Sequence, residues 1–285
     1  MYNIILENAA GYQLNFAQNS AFTVTEIQGL NPPAANINTS QIALMDGAKY
    51  NSAKLQMRTL NIAFAIEYEA AKNRLEVFKV LKSKQWIKFN YIGQYRQVYI
   101  EGYISSIDIS YFAMKQIVTC SILCPSPYFM EAQAIVDELS NIISAFHFPF
   151  ASQASPKELL FGYISTDVGI TMNNDGDVET GMIIELFARQ AVSNPKIFDY
   201  ITQDYIGVNF DMQQYDIIRI DTRQGHKTVT LQRAGVESNL FNYLMQGSTW
   251  LQLPATSGTY VYEVGTGETT SLAVSFTHTN LYEGV

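Results

Sequence analysis

Charge is the first thing this chain has little of. Asp, Glu, Lys and Arg make up 15% of its 285 residues, where an average soluble domain carries roughly 25%. What charge there is leans acidic, 26 residues against 18 basic, for a formal net charge of −8. No run of Lys and Arg occurs, so the basic footprint that a nucleic-acid backbone requires is missing, and specific nucleic-acid binding is not expected. Long apolar runs are missing too, and none approaches the roughly 18 residues of a membrane helix. The start, Met1-Tyr2-Asn3-Ile4-Ile5-Leu6-Glu7, lacks the positive region and apolar core of a secretory signal. The expectation is a protein made and folded in a cytoplasm, away from membranes.

Cysteine is almost absent. Cys120 and Cys124 are the only two, on one face of the alternating segment Val118-Cys120-Ile122-Cys124. Four residues of strand hold them about 13 Å apart, beyond the about 7 Å that a disulfide spans between Cα atoms. No further Cys or His close by completes a zinc set. They read as buried thiols.

Catalytic signatures are missing as well. His147, His226 and His278 have no partner spacing, and the chain contains no Gly-x-Ser-x-Gly elbow and no phosphate-binding loop. Aligned on Gly176, a calcium loop around Asn173–Asp177 would place Thr171 first and Met182 twelfth, where oxygen ligands are needed. The segment reads as a β-turn. A glycosidase needs two carboxylates across a cleft. Asp175, Asp177, Glu179, Asp216 and Asp221 instead cluster at turns, where acids are good turn formers. No catalytic residue, metal site or cofactor is expected, and the chain is not read as an enzyme. Trp250 with Tyr262 could form a sugar-stacking platform on a lectin-like sandwich. The competing reading is a core tryptophan flanked by Leu251 and Leu253. Asn38-Thr39-Ser40 fits the glycosylation pattern, but without a secretory signal it carries no weight.

What is present is β-forming. Aromatics reach 13%, mostly Tyr and Phe, within 47% apolar residues, a mix that favours strands and suits a protein that hides surface in contacts. The stretch Ile170–Leu231 reads as short strands: Ile170–Met172, Thr180–Leu186, Ile217–Ile220 and Thr228–Leu231, divided by Asn, Asp, Gly and Pro turns. Leu60, Ile62, Phe64 and Ile66 alternate cleanly in an earlier strand. Glu67–Lys84 changes period, with Ala71, Leu75, Phe78 and Leu81 on one helical face, and predicts a helix whose stripe faces the core. Strands follow at Trp86–Tyr91, Gln97–Tyr103, Ser105–Tyr111 and Gln116–Leu123. The two prolines of Cys124-Pro125-Ser126-Pro127-Tyr128-Phe129 stop the sheet and mark a domain boundary. Glu131–Phe146 is read as a helix or a linker, and Phe148–Pro156 as irregular. Further strands are expected at Leu240–Leu244, Thr249–Leu253, Gly258–Tyr262 and Ser271–Thr277. Pro33–Ser52 reads as a long polar loop. The organisation expected is an N-terminal domain over 1–130, a linker over 131–159 and a C-terminal domain over 160–285, both domains mainly β.

The order of short motifs across the chain resembles the distal tail protein (Dit) family of long-tailed bacteriophages. In the first half it rests on Gly29-Leu30 with Pro32, Gly47, Arg58 before the Leu60–Ile66 strand, the Glu67–Lys84 helix and the Pro-Ser-Pro-Tyr-Phe run. Ser126 stands where the family usually has an acidic residue. In the second half it rests on Asn174-Asp175-Gly176-Asp177, Asn194-Pro195-Lys196-Ile197, Asp216 to Thr222, Trp250 with Leu253, and the closing Tyr282-Glu283-Gly284-Val285. Tyr215 replaces the usual Gly. The resemblance implies an N-terminal β-sandwich-like belt domain with one α-helix that assembles into a ring, typically a homo-hexamer. It implies a C-terminal galectin-like β-sandwich on the outside. The implied role is a structural virion protein of the tail tip or baseplate, assembled in the host cytoplasm. Its implied partners are itself, the tail tube protein, a tail-tip hub protein and receptor-binding proteins, with DNA passing through the ring lumen. A carbohydrate-binding module contacting the host surface is the alternative. The net charge motivates one further expectation, an acidic lumen that repels passing DNA.

Overall fold

The computed structural model describes residues 2–17, 20–43, 46–139, 142–144, 162–164 and 169–285, with 142–144 and 162–164 described by backbone alone. Phe148–Pro156, His147 and the expected domain start at Leu160 lie outside these residues. The described chain is mainly β, with antiparallel sheets and one α-helix. It divides into two compact units. Unit 1 comprises Met1–Ala132 and Leu281–Val285, and unit 2 comprises Gln133–Asn280. The last five residues, read from sequence as part of the C-terminal domain, therefore count with unit 1.

Unit 1 contains β1 (Asn3–Asn8), β2 (Gln13–Asn15), β3 (Phe22–Gln28), β4 (Ala35–Ser40), β5 (Lys49–Leu55) and β6 (Arg58–Ile66). Then come α1 (Ala70–Val80), β7 (Trp86–Ile92), β8 (Gln97–Ile109), β9 (Gln116–Cys124) and β10 (Phe129–Glu131). The main sheet runs β2-β1-β7-β8-β9-β6-β3. Period-two alternation drives it. Leu60, Ile62 and Phe64 of β6 are fully buried, as are Ile4 and Leu6 of β1. The two segments expected at Gln97–Tyr103 and Ser105–Tyr111 are one long strand, β8, whose register against β9 shifts between Ile104 and Ser106. Gly29 sits at φ +95°, and a Cβ there would lie 2.3 Å from the Thr59 carbonyl oxygen, so the turn after β3 admits only glycine.

The helix forms but is shorter than Glu67–Lys84, and its buried face is not the expected one. Asn73, Val77 and Val80 face inward, followed by Leu81. Leu75 is 61% exposed and Phe78 36%. Ala71, Leu75 and Phe78 share the same four-then-three spacing as Asn73, Val77 and Val80. The two sets are offset by two residues, about 200° around the helix. Side-chain amides anchor the observed face, with Asn73 Nδ2 donating to the Tyr68 carbonyl at 2.6 Å and Asn8 Nδ2 to that of Lys79 at 3.0 Å. Pro33–Ser52 is likewise not a plain loop. Residues of β4 and β5 pair as a separate antiparallel ribbon with a register shift between Asn38 and Thr39. Every residue of β4 is exposed, and so is all of β5 except Leu55.

Unit 1 is closed by its most distant segment. The strand Leu281–Tyr282 pairs antiparallel with β10, Phe129 opposite Tyr282 and Met130 opposite Leu281. Arg58, 3% exposed, holds this closure. Its Nε donates to the Pro127 carbonyl at 2.7 Å, its Nη1 to those of Gly29 and Asn31, and its Nη2 to that of Glu283 at 2.6 Å. The guanidinium also lies 4.5 Å from the Phe129 ring centroid. Arg96 adds a second clasp, donating to the Gly284 carbonyl at 2.7 Å with its guanidinium 4.3 Å over the Tyr282 ring.

Unit 2 packs its two largest sheets around one core and also holds two-stranded pairs, Ile142–Ser144 with Gly162–Ile164 and Val192–Ser193 with Asp211–Met212. The larger runs Ile135–Leu139, Leu272–His278, Thr180–Ala188, Ile217–Asp221, Thr228–Arg233 and Val236–Asn239, with Gln252–Leu253 paired to Thr180–Ala188. The smaller runs Gly169–Asn173, Ser257–Glu263, Lys196–Asp199 and Tyr205–Gly207. Met182, Ile184 and Leu186 from one sheet share a core with Met172, Ile197, Tyr260 and Tyr262 from the other, which makes a β-sandwich. Ile135–Leu139 is a strand within the segment read as helix or linker. Leu240–Leu244 is not a strand and holds a short 3-10 turn at Phe241–Tyr243.

Arg58→Met would leave four carbonyls of unit 1 without their donor. Buried orphan acceptors cost about 1–3 kcal/mol each before relaxation, so chemical denaturation is expected to show unit 1 weakened by about 3 kcal/mol or more. A loss below about 1 kcal/mol would show that the closure does not depend on this side chain.

Candidate assembly surfaces

The groups that could have carried chemistry are instead bound into the fold. Cys120 and Cys124 are both fully buried. Burial pushes each thiol up to about 12, opposed at Cys124 by the neighbouring Arg58 charge, so neither is a nucleophile at neutral pH. Asn174 ties its turn together, donating to the carbonyls of Val178 at 3.0 Å and Pro254 at 3.1 Å and accepting from the Gly176 amide at 2.9 Å. The Asn173–Asp177 segment is thereby a turn. Asp221 pairs with Arg223 at 2.6 Å and Asp216 with Arg233 at 2.5 Å. His278 is buried with Nδ1 3.5 Å from Asp137 Oδ2, and His226 is exposed on a turn. Among the described residues no group of three or more His, Cys, Asp or Glu is placed to hold a metal ion.

Trp250 and Tyr262 do not form one exposed platform. Tyr262 is 2% exposed, and its hydroxyl donates to the Thr269 carbonyl at 2.9 Å. It belongs to the inward face of Ser257–Glu263 together with Tyr260, whose hydroxyl donates to the Gln252 carbonyl at 2.8 Å. The strand's alternation carries both rings into the core. Trp250 is half-buried at the core's margin, 6.0 Å from Phe241 between centroids, with Lys227 Nζ 5.4 Å over its ring.

Charge is divided unevenly along the chain. Unit 1 holds 11 basic and 10 acidic residues and unit 2 holds 7 and 16, formal charges of +1 and −9 that together make the −8 of the whole. The acid excess that motivated the expectation of a DNA-repelling lumen lies in unit 2. Unit 1 instead presents apolar side chains to solvent, among them Leu75 and Phe78 on α1 and Ile37 and Tyr50 on the β4–β5 ribbon.

Some of the residues that carried the family resemblance meet within each unit. Gly29, Arg58, Pro127 and Glu283 meet at one guanidinium, and Asn174 Nδ2 lies 3.4 Å from the Leu253 carbonyl. Residues 175–282 match the family model of the siphovirus-type tail component, C-terminal domain. The chain is similar in structure to SPP1 Dit (gp 19.1), described as a paradigm of hub adsorption apparatus in phages infecting Gram-positive hosts. The TM-score is 0.68 at 12% identity, over 98% of this chain and 98% of that one. It is also similar to chains of the phage p2 baseplate in its activated conformation. With calcium the TM-score is 0.52 at 12% identity over 100% of this chain and 99% of that one. With strontium it is 0.53 at 11% over 100% of both. No curated protein matches the sequence. Residues 175–282 thus carry the siphovirus-type tail component domain, and the whole chain has the fold of SPP1 Dit.

The Asp216–Arg233 pair makes a pH prediction for unit 2. The Asp216 side chain is 2% exposed, and its carboxylate accepts from Arg233 Nε at 2.8 Å and from the Gln213 amide at 2.7 Å. The Arg233 hydrogen bonds hold its pKa below the usual carboxylate range, against the opposing effect of burial. A carboxylate depressed on folding contributes stability that is complete above its unfolded pKa of about 3.9 and is lost as pH falls through the folded value. Asp216→Asn is expected to cost about 1.5–3 kcal/mol at pH 7 by denaturant titration, with the gap to wild type closing below about pH 4. A gap independent of pH would exclude the ionised pair as its cause.

Proposed function

We propose that the chain assembles through unit 1 into a closed ring at the phage tail tip. The ring joins the tail tube to a tail-tip protein and serves as the attachment hub for receptor-binding proteins, and the chain assembles in the host cytoplasm. The observation that carries this reading is the full-length likeness to SPP1 Dit, a hub of an adsorption apparatus, at a TM-score of 0.68. Unit 1 supplies supporting physics. Its main sheet ends in two edge strands, β2 and β3, and unpaired edges are covered or paired in stable assemblies. Its β4–β5 ribbon is a two-stranded sheet standing apart from the main one. Such ribbons are marginal alone in water, which favours a role as a subunit-to-subunit or ring-to-tube arm. Unit 2, with the acid excess, is proposed as the outward-facing domain. The carbohydrate-binding alternative now rests on Trp250 alone.

Light scattering on the purified protein tests the reading. A closed ring has several times the 32.0 kDa of one chain, roughly six times for the hexamer that cyclic symmetry permits. A species of chain mass at every concentration would contradict the ring.

A further inference from the structure

The sequence contains two Asp-Gly pairs, Asp46-Gly47 and Asp175-Gly176, and the fold treats them differently. An Asp-Gly pair is open to internal attack. Glycine sets no side chain beside its own amide nitrogen, and its backbone turns freely enough for that nitrogen to reach the preceding carboxyl carbon. At Asp175-Gly176 the nitrogen is held. The Gly176 amide donates to Asn174 Oδ1 at 2.9 Å. Asn174 is itself buried, and its Nδ2 is tied to the carbonyls of Val178 at 3.0 Å and Pro254 at 3.1 Å. Attack on the Asp175 carboxyl would break the Gly176 hydrogen bond and leave the buried Asn174 oxygen short of a donor.

Asp46-Gly47 sits in the opposite environment. It lies in the connection from β4 to β5, beyond the paired residues Ser40 and Lys49. Both of its residues are exposed. Gly47 has φ +90°, and, its chain neighbours aside, no described heavy atom lies within 4 Å of where a Cβ would stand. The strands that carry it form a two-stranded sheet of their own, exposed throughout except at Leu55. A ribbon of that kind offers little resistance to local opening. The same dipeptide is thus clamped in unit 2 and open to solvent in unit 1.

We propose that Asp46 is a site of spontaneous backbone isomerisation, at which aspartate converts to isoaspartate in the folded protein. The Gly47 nitrogen attacks Cγ of the Asp46 carboxyl in its protonated form. The new N–Cγ bond closes a five-membered imide, and the amide proton leaves with the carboxyl hydroxyl as water. Water then adds at either imide carbonyl. Opening at Cγ restores aspartate. Opening at the Asp46 carbonyl carbon leaves the chain running through Cβ and Cγ, an isoaspartate with a free α-carboxylate. One water is lost and one regained, so mass and net charge do not change, and no oxidant or cofactor takes part. The backbone gains one carbon in the connection between β4 and β5.

Ageing the folded full-length protein in warm neutral buffer, beside a sample aged in denaturant, tests the site. Isoaspartate is detected by methyl transfer from S-adenosylmethionine with an isoaspartyl methyltransferase and located by electron-transfer fragmentation of the peptides. The folded protein is expected to accumulate isoaspartate at Asp46 and to lack it at Asp175. The unfolded chain, without the Asn174 clamp, is expected to accumulate it at both. Asp46→Glu cannot close a five-membered imide and is expected to lose the methyl acceptance of the folded protein, with circular dichroism unchanged. An unmodified Asp46 in the aged folded protein overturns the inference. Equal accumulation at Asp46 and Asp175 in the folded protein also overturns it, because the fold would then not distinguish the two pairs. Methyl acceptance that survives Asp46→Glu places the reaction at another residue and overturns the assignment.

Discussion

A guanidinium withdrawn from water needs its donors satisfied, and Arg58 satisfies them on backbone carbonyls from three separate stretches of chain. One stretch is the turn before β4, one is the proline run before β10, and one is the end of the chain, 225 residues away. Desolvation lowers the pKa of this side chain, and the nearby Cys124 and Glu283 oppose the drop. The arrangement makes unit 1 discontinuous in sequence. Its last strand arrives only after all of unit 2 has been passed, so unit 2 is an insertion between two antiparallel neighbours, β10 and Leu281–Tyr282. Long-range closure of this kind carries a loop-entropy cost, and the hydrogen bonds of Arg58 and Arg96 together with strand pairing offset it.

Much of this was legible in the sequence wherever burial imposes a period. The strands at Leu60–Ile66, Gln116–Leu123 and Ser271–Thr277 follow from alternation because one face of each is in a core. The helix was legible as an element, but its orientation was not. Two stripes with identical spacing lie on opposite sides of α1, and the winning one contains an asparagine while the losing one contains Leu75 and Phe78. Polar anchoring by Asn73 and Asn8 decided the matter, and no hydrophobic count registers that. The β4–β5 ribbon escaped notice because both of its faces are exposed, so it has no apolar alternation to read. Tyr262 could have been placed from its own strand, since Gly258, Tyr260 and Tyr262 share the inward phase. The motifs behind the family resemblance were visible singly, but the meeting of Gly29, Pro127 and Glu283 at Arg58 is a tertiary fact.

The division of charge gives the fold a functional logic. A low content of charged residues keeps desolvation costs small wherever surface is covered. The near-neutral unit combines exposed apolar groups, free sheet edges and a standalone ribbon, the ingredients of self-association. The strongly acidic unit packs a complete two-sheet core of its own, with its turns held by Asn174 and by the Asp216–Arg233 and Asp221–Arg223 pairs. The Arg58 closure holds the sequence-distant parts of unit 1 together.

The central claim is that unit 1, closed by the C-terminal residues, is the assembling module. The direct test replaces residues 133–280 with a short turn, which the antiparallel pairing of Met130 with Leu281 permits, and compares copy number with the full chain by native mass spectrometry. The account predicts a folded module with the same number of copies as the full-length protein. A folded module that stays monomeric while the full chain forms a ring would place the assembling contacts in unit 2 and contradict it.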